Sequence, residues 1–169
     1  EVLTSTTAMA LTQQPESLLV IGGRAVALEL GQTFARFGTK VTLLQRSSHL
    51  IPDHEPEIST ALAEALRQEG LTIQTGVKLL AIREEAGQKV VTASIDGEAD
   101  EFRAEQVLLA VGRTPNTQDL GLKEIGIELD SQGFIKVNSR LETTNPKVYA
   151  VGDVTADPNL VYVAAAAGG

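Results

Sequence analysis

VIGGRAVALE (20–29), followed by KVTLLQR (40–46), is the stretch of sequence that decides the fold. An apolar run enters a turn of two glycines, Gly22 and Gly23, and an amphipathic helical pattern follows. A second apolar run then ends at Gln45. This order of strand, turn, helix and strand places a helix N-terminus where it can bind a pyrophosphate.

The end of the second apolar run indicates which nucleotide would bind. A domain that binds NAD usually has Asp or Glu at this point, which accepts a hydrogen bond from the ribose 2′-hydroxyl. This chain has Gln45 and Arg46 instead. A neutral residue beside an arginine suits a 2′-phosphate better, so the sequence predicts NADPH, with NADH as the less favoured possibility.

The glycine turn follows the dinucleotide-binding pattern G-x-G-x-x-G/A only in part. Gly22 and Ala27 occupy its first and last positions, and Gly23 follows the first glycine. Arg24 replaces the middle glycine, which normally lets the backbone approach the pyrophosphate. From the residues alone, a strand-helix-strand unit without a nucleotide stays open as the alternative.

Composition excludes several classes of function. The net charge of −8 argues against nucleic acid and anionic membrane surfaces, both of which require a basic face. No apolar run approaches the roughly 20 residues of a membrane span, and no secretory pattern is present. We therefore expect a cytoplasmic protein. The chain has no cysteine, which excludes disulfides and thiolate chemistry within it.

Periodicity extends the prediction along the chain. We predict helices at 4–11, at 25–37 and from Pro56 onward; Gly38 ends the second and Gly70 ends the third. The predicted strands between them are 18–21, 40–45 and 71–75. Three short strands with turns at Gly87 and Asp96-Gly97, namely 77–84, 89–95 and 99–103, predict an antiparallel meander.

The remaining sequence contains further apolar runs. QVLLAVG (106–112) is typical of a parallel strand buried on both faces. We also predict a short strand at 134–137, a buried strand at 148–152, and the first turns of a helix in VYVAAAAGG (161–169). Because a natural C-terminus seldom leaves such an apolar run uncovered, we expect a fragment of a longer protein.

The fold prediction is α/β: a Rossmann-like FAD/NAD(P)-binding domain with a central parallel sheet and an antiparallel β-meander. A chain of 169 residues can form one complete core and parts of a second. We predict an NAD(P)H-binding domain at 16–147. The flanks, 1–15 and 148–169, are then expected to belong to a neighbouring FAD domain.

Three ordered motifs resemble one known family. GGRAVALE (22–29), AVGRTPN (110–116) and YAVGD (149–153) are similar, in this order and spacing, to the pyridine-nucleotide disulfide oxidoreductase flavoproteins. Within that family, TSTTAMAL (4–11) and LVYVAAAAG (160–168) are most similar to mercuric reductases.

The resemblance implies roles for individual residues. Gly22, Gly23 and Ala27 match the turn under the cofactor pyrophosphate, and Arg24 stands within that turn. Arg46 matches the arginine that holds the 2′-phosphate. The other matching residues are Glu29, near the flavin and paired with a lysine of the FAD domain; Gly112 and Arg113, in a loop over the nucleotide; and Asp153, at the flavin ribityl chain. The alternatives without a functional role are that Glu29 is a solvated glutamate on a helix and that Asp153 is an ordinary aspartate at a strand end.

Three positions depart from the family pattern. Arg24 stands where relatives have glycine or serine, so its side chain must move aside or contact phosphate itself. A second arginine, often present six residues after the first in NADPH-specific relatives, is replaced by Pro52. Val2 stands where mercuric reductases often have a tyrosine that serves the metal site.

The resemblance implies an enzyme that passes hydride from NADPH to FAD, then electrons to a dithiol centre and to Hg(II), giving Hg(0). The parent protein is expected to be a homodimer, and this chain alone is expected to be inactive. The alternatives are a dihydrolipoamide dehydrogenase or other disulfide reductase, and a non-catalytic nucleotide-binding module.

One loop contains several residues that could suggest a metal site, namely His49, Asp53, His54 and Glu55. We interpret them as a polar loop and predict no metal.

Overall fold

The computed structural model describes residues 1–156 and 160–169, which form two compact units, Glu1–Gly112 and Arg113–Gly169. The first unit contains three helices: α1 (Ser5–Met9), α2 (Ala25–Arg36) and α3 (Pro56–Gln68). Its strands are β1 (Ser17–Ile21), β2 (Lys40–Leu44), β3 (Thr72–Gln74), β4 (Lys78–Glu85), β5 (Gln88–Ile95), β6 (Glu98–Ala104) and β7 (Gln106–Leu109). The second contains a 3-10 helix (Gly152–Val154) and α4 (Val161–Gly168).

A parallel sheet forms the centre of the first unit. Its strand order is β3-β2-β1-β7, and β1 pairs with β2 through Ser17–Lys40 to Ile21–Leu44. Because side chains alternate along a strand, β1 sends Leu18 and Val20 to one face and Leu19 and Ile21 to the other. The two sets belong to different buried clusters, so both faces of β1 are covered.

The two faces of this sheet are covered by different structures. On one face, α2 and α3 pack through apolar residues such as Leu28 and Leu66. On the other, the antiparallel sheet β4-β5-β6 packs through Val91, Ala93 and Ala104. The first unit therefore has three layers, helices, parallel sheet and meander, and the predicted α/β class with its antiparallel meander is confirmed.

Local sequence signals explain most boundaries. Thr4 caps α1 through its hydroxyl, and Pro56 occupies the first turn of α3, where its missing N–H costs nothing. The turn Asp96-Gly97 has positive φ at both residues, 52° and 91°, as a tight two-residue hairpin requires. The three meander strands begin and end within one residue of their predicted positions.

The prediction for 106–112 was partly wrong. The strand β7 is parallel to β1 as expected, but it ends at Leu109. Val107 and Leu108 are buried, whereas Leu109 is 39% exposed and Val111 is 64% exposed. The reason is that β7 lies at the edge of the four-stranded sheet, where only a single bridge from Leu3 extends the pairing.

The second unit is built largely from turns around a small core. Ile127, Ile135 and Ala150 are its buried apolar residues. The strands predicted at 134–137 and 148–152 were wrong: within 113–156 and 160–169 they form only isolated bridges, Leu129 to Ile135 and Glu142 to Tyr149. Tyr149 is 60% exposed, so the second segment is not buried on both faces. The helix predicted at the end of the chain is present as α4.

The domain boundaries at 15/16 and 147/148 stay a prediction, since a division into compact units is a different property from a division into domains. Among the described residues, no helix combines the length and the apolar character needed to cross a bilayer.

Candidate functional site

The candidate site is a cavity of about 420 Å³ in the first unit. It lies where β1 and β2 end, which is the edge of a parallel sheet at which ligands usually bind. The residues that line it are Ile21, Gly22, Gly23, Arg24, Leu44, Gln45, Arg46, Ser47, Pro52, Val77, Lys78, Leu79, Ala110 and Val111. The glycine turn and the Gln45-Arg46 pair, which come from the two ends of the motif at 20–46, therefore line one cavity.

Gly22 makes the turn that forms the floor of the cavity. Its N–H donates to the Leu44 carbonyl oxygen at 3.0 Å, and its φ is +133°. A Cβ at this position would lie 2.3 Å from the Ala110 carbonyl oxygen and 3.3 Å from the Ala27 Cβ. Only glycine fits, because a side chain would collide with the backbone that follows β7.

Gly23 and Ala27 keep the turn close to its neighbours. A Cβ on Gly23 would lie 2.8 Å from the Cδ of Gln45, which is itself buried. Ala27 is fully buried beneath the turn. The small residues of the motif thus allow α2 to begin directly against the strand ends.

The N-terminus of α2 is available to an anion. Arg24 is the N-cap residue, and its side chain makes no capping hydrogen bond. The first N–H groups of a helix have no partner within the helix, and together they carry partial positive charge. The N-cap residue and the glycine turn before it line the cavity, so this end of the helix contributes donors to the site.

Arg24 is held by a residue of the following loop. Its guanidinium forms an ion pair with the Asp53 carboxylate, and its Nη2 also donates to Asp53 Oδ1 at 3.1 Å. The same loop is attached to the turn by the Ile51 N–H, which donates to the Gly23 carbonyl oxygen at 2.8 Å. This arrangement gives Arg24 a carboxylate partner at the wall of the cavity.

Arg46 and Lys78 reach the cavity from two segments that are hydrogen-bonded to each other. The Val77 N–H donates to the Gln45 carbonyl oxygen at 3.0 Å, and the Gly76 N–H donates to the Ser47 carbonyl oxygen at 2.9 Å. These bonds attach the start of β4 to the end of β2. Both cationic side chains are exposed.

The charge of the cavity contrasts with that of the chain. Three cationic residues line it: Arg24, Arg46 and Lys78. Among the described residues, no Asp or Glu lines the cavity. The protein as a whole carries a net charge of −8. A local group of cations on an acidic protein favours an anionic ligand.

The other candidate residues lie elsewhere. Glu29 is exposed on α2 and is not among the described residues that line the cavity. Gly112 is exposed at the end of the first unit. Arg113 and Asp153 belong to the second unit, where Arg113 Nη2 and Asp153 Oδ2 form an ion pair at 2.7 Å.

The loop that suggested a metal site is engaged in other contacts. Asp53 pairs with Arg24, and the His49 Nδ1 lies 3.0 Å from the Leu50 carbonyl oxygen. No group of three or more His, Cys, Asp or Glu residues is placed to hold a metal ion in residues 1–156 and 160–169.

Sequence reasoning missed Lys78 as a lining residue and Asp53 as the partner of Arg24. A signal for Lys78 existed, since residues that directly follow a parallel strand lie at its carboxyl end, and Lys78 follows β3 closely. No such signal existed for the ion pair, because its two residues are far apart in sequence.

Comparison with known proteins identifies the family of the chain. A family model described as pyridine nucleotide-disulphide oxidoreductase matches residues 1–168. Mercuric reductase of Staphylococcus aureus is 42% identical over 167 residues, which are 99% of this chain and 30% of that protein. Dihydrolipoyl dehydrogenase of Thermus scotoductus is 41% identical over 152 residues, 89% of this chain and 33% of that protein.

Solved structures show the same fold. The HOCl-induced flavoprotein disulfide reductase RclA from Escherichia coli matches with a TM-score of 0.89 and 30% identity, over 98% of this chain and 37% of that one. This likeness confirms the Rossmann-like prediction. The chain spans about a third of the length of these relatives. From the family match along nearly its whole length, the chain belongs to the pyridine nucleotide-disulphide oxidoreductase family.

Proposed function

We propose that this chain is the NADPH-binding segment of a flavoprotein oxidoreductase whose final electron acceptor is Hg(II). The observation that carries the proposal is the single cavity shared by the Gly22-Gly23 turn, the N-terminus of α2 and Arg46. Membership of the family and the similarity to mercuric reductases support it.

The residues present fit a dinucleotide. The turn and the uncapped helix end supply backbone donors for a pyrophosphate, and the apolar lining, including Leu44, Val77 and Leu79, can cover a flat ring. Arg46 supplies a planar guanidinium that can bind a phosphate through two hydrogen bonds. These residues would bind and orient the nucleotide; they include no group that would itself undergo oxidation or reduction.

When bound, NADPH supplies a hydride, which carries the two electrons that reduce Hg(II) to Hg(0) or a disulfide to two thiols. In this proposal FAD and a dithiol centre lie between the two, in a protein longer than this chain. The FAD domain and a second subunit of a homodimer are the proposed partners.

Four residues outside the cavity keep their proposed roles. Gly112 and Arg113 would close over the nucleotide, Asp153 would meet the flavin ribityl chain, and Glu29 would lie near the flavin. The ion pair between Arg113 and Asp153 adds a constraint. A hydroxyl that approaches the Asp153 carboxylate would do so beside a guanidinium, so the two residues would act as one polar group.

A dihydrolipoamide dehydrogenase is the second candidate. The 41% identity to the Thermus scotoductus enzyme is close to the 42% identity to the Staphylococcus aureus mercuric reductase. The two candidates differ in cofactor: a preference for NADH would favour the dihydrolipoamide dehydrogenase, whereas Arg46 favours the 2′-phosphate of NADPH.

Blocking the cavity tests the proposed binding site. Leu79 lines the cavity and is 41% exposed, so Leu79→Trp can fill the cavity from its rim. Leu80→Trp is a matched control, because Leu80 is the next residue, is 52% exposed and does not line the cavity as described. We expect Leu79→Trp to weaken NADPH binding at least tenfold by calorimetric titration, and Leu80→Trp to leave it unchanged. Equal binding by the two variants, or no binding by the unmutated chain, would contradict the proposal.

A further inference from the structure

The three cations that line the cavity differ in their partners. Arg24 is neutralised by Asp53, with which it forms an ion pair. Within the described residues, neither Arg46 nor Lys78 makes an ion pair with any carboxylate. The positive charge available to a ligand is therefore concentrated in Arg46 and Lys78.

The position of Lys78 is fixed by the backbone on both sides. Gly76 and Val77 are hydrogen-bonded to the segment that carries Arg46. Lys78 itself begins β4 and pairs in register with Ser94 of β5. A lysine placed at this junction lines the same cavity as Arg46, although Arg46 follows a strand of the parallel sheet and Lys78 begins a strand of the antiparallel sheet.

The loop that follows Arg46 contains no other lysine or arginine. Between Arg46 and α3 its charged side chains are the carboxylates Asp53 and Glu55, and Pro52 lines the cavity without any charge. The loop therefore offers no second lysine or arginine to a phosphate bound at Arg46, whereas Lys78 lines the same cavity.

A phosphate monoester carries about −1.5 to −2 charge at neutral pH, because its second pKa is about 6. One guanidinium leaves much of this charge unbalanced. We propose that Lys78 is a specificity-determining residue that supplies the second positive charge for the 2′-phosphate. This inference rests on the proposed function, since it assigns Lys78 to the nucleotide that the cavity would bind.

The test compares NADPH and NADH binding to the chain by calorimetric titration at low salt. Lys78→Gln removes the charge at an exposed position, and Lys78→Arg keeps it. Lys40→Gln is the matched control, because Lys40 is also exposed but lies at the first residue of β2, at the opposite end of the parallel sheet. We expect Lys78→Gln to weaken NADPH binding about tenfold, with NADH binding unchanged.

Two further results are expected if Lys78 contacts the phosphate. Lys78→Arg should retain most of the preference for NADPH, and the effect of Lys78→Gln should shrink as salt screens the charges. Equal weakening of both nucleotides, or equal effects of Lys78→Gln and Lys40→Gln, would overturn the assignment. A preference that depends on Arg46 but not on Lys78 would overturn this inference while the proposed function stands. If the unmutated chain binds neither nucleotide, both fail.

Discussion

Arg24 and Asp53, which lie 29 positions apart, form an ion pair at the wall of the candidate cavity. Arg24 occupies the position at which the dinucleotide-binding pattern has its middle glycine. Its partner explains how an arginine is accommodated there, since the carboxylate holds the guanidinium and offsets its charge. Both side chains are more than half exposed, so the pair itself contributes little to stability.

Release of Arg24 should favour nucleotide binding. With Asp53→Asn, the guanidinium loses its carboxylate partner and becomes free to contact a pyrophosphate. We expect NADPH and NADH affinities to rise together by a few-fold at low salt, measured by titration of each variant. The same substitution in an Arg24→Gly background should give no gain. A gain that persists without Arg24 would show that the guanidinium is not the group released.

The glycine turn should tolerate no side chain at its first position. Gly22→Ala combines a positive φ with a collision against the Ala110 carbonyl oxygen, whereas Gly70→Ala combines a positive φ of 94° with open space. Backbone strain costs about 1–2 kcal/mol and overpacking about 1–3 kcal/mol more. We expect Gly22→Ala to lower the urea midpoint clearly further than Gly70→Ala. Equal midpoints would mean that the turn can move away from β7.

The contact between α2 and the end of α3 should be sensitive to acid. Hydrogen bonds donated by Arg36 hold the pKa of the Glu69 carboxyl below its ordinary value of 4.5, against the opposing effect of desolvation. A pKa that is lower in the folded state adds stability above the unfolded pKa, and this stability is lost as the pH falls through the folded pKa.

Glu69→Gln therefore should be less stable than the unmutated chain at pH 7, and the difference should begin to shrink near pH 4.5 and vanish once the pH is below the folded pKa. Urea unfolding across this range measures it. Glu64→Gln, also on an exposed face of α3, is the control and should show no such convergence. A difference between the chain and Glu69→Gln that stays constant with pH would contradict the assigned cause.

The chain alone should not catalyse electron transfer. It contains no cysteine, and so it has no dithiol that could pass electrons to Hg(II) or to a disulfide. We expect no oxidation of NADPH when Hg(II) or a disulfide substrate is added together with free FAD. The absorbance of the reduced nicotinamide measures this oxidation. Turnover, or flavin bound in stoichiometric amount, would show that the chain contains chemistry we have not assigned.

The sequence predicted those parts of the fold that depend on local signals. The turn at Gly22 and the hairpin at Asp96-Gly97 could be predicted because glycine is favoured where φ is positive and is required where the backbone approaches closely. The parallel sheet and the antiparallel meander were predicted from periodicity, since short apolar runs such as 18–21 indicate buried strands and the segments around Gly87 and Asp96-Gly97 indicate hairpins.

The errors arose where tertiary context decides the outcome. An apolar run at 148–152 reads as a strand, but the described residues supply no continuous neighbouring strand, and only one bridge forms. The pair Arg24–Asp53 and the position of Lys78 depend on contacts between distant segments, which no periodicity encodes. The cationic residues of the site were therefore only partly identified from sequence.

Parallel titrations of the chain and Arg46→Ala with NADPH and NADH test the central claim most directly. Hydrogen bonds to a charged group contribute roughly 1.5–3 kcal/mol, so the chain should bind NADPH about ten- to a hundredfold more tightly than NADH. Arg46→Ala should erase most of this preference and leave NADH affinity nearly unchanged. Arg67→Ala, on α3 and away from the cavity lining, should behave like the unmutated chain. Equal affinity for both nucleotides in the unmutated chain would contradict the NADPH assignment, and a preference for NADH would favour a dihydrolipoamide dehydrogenase.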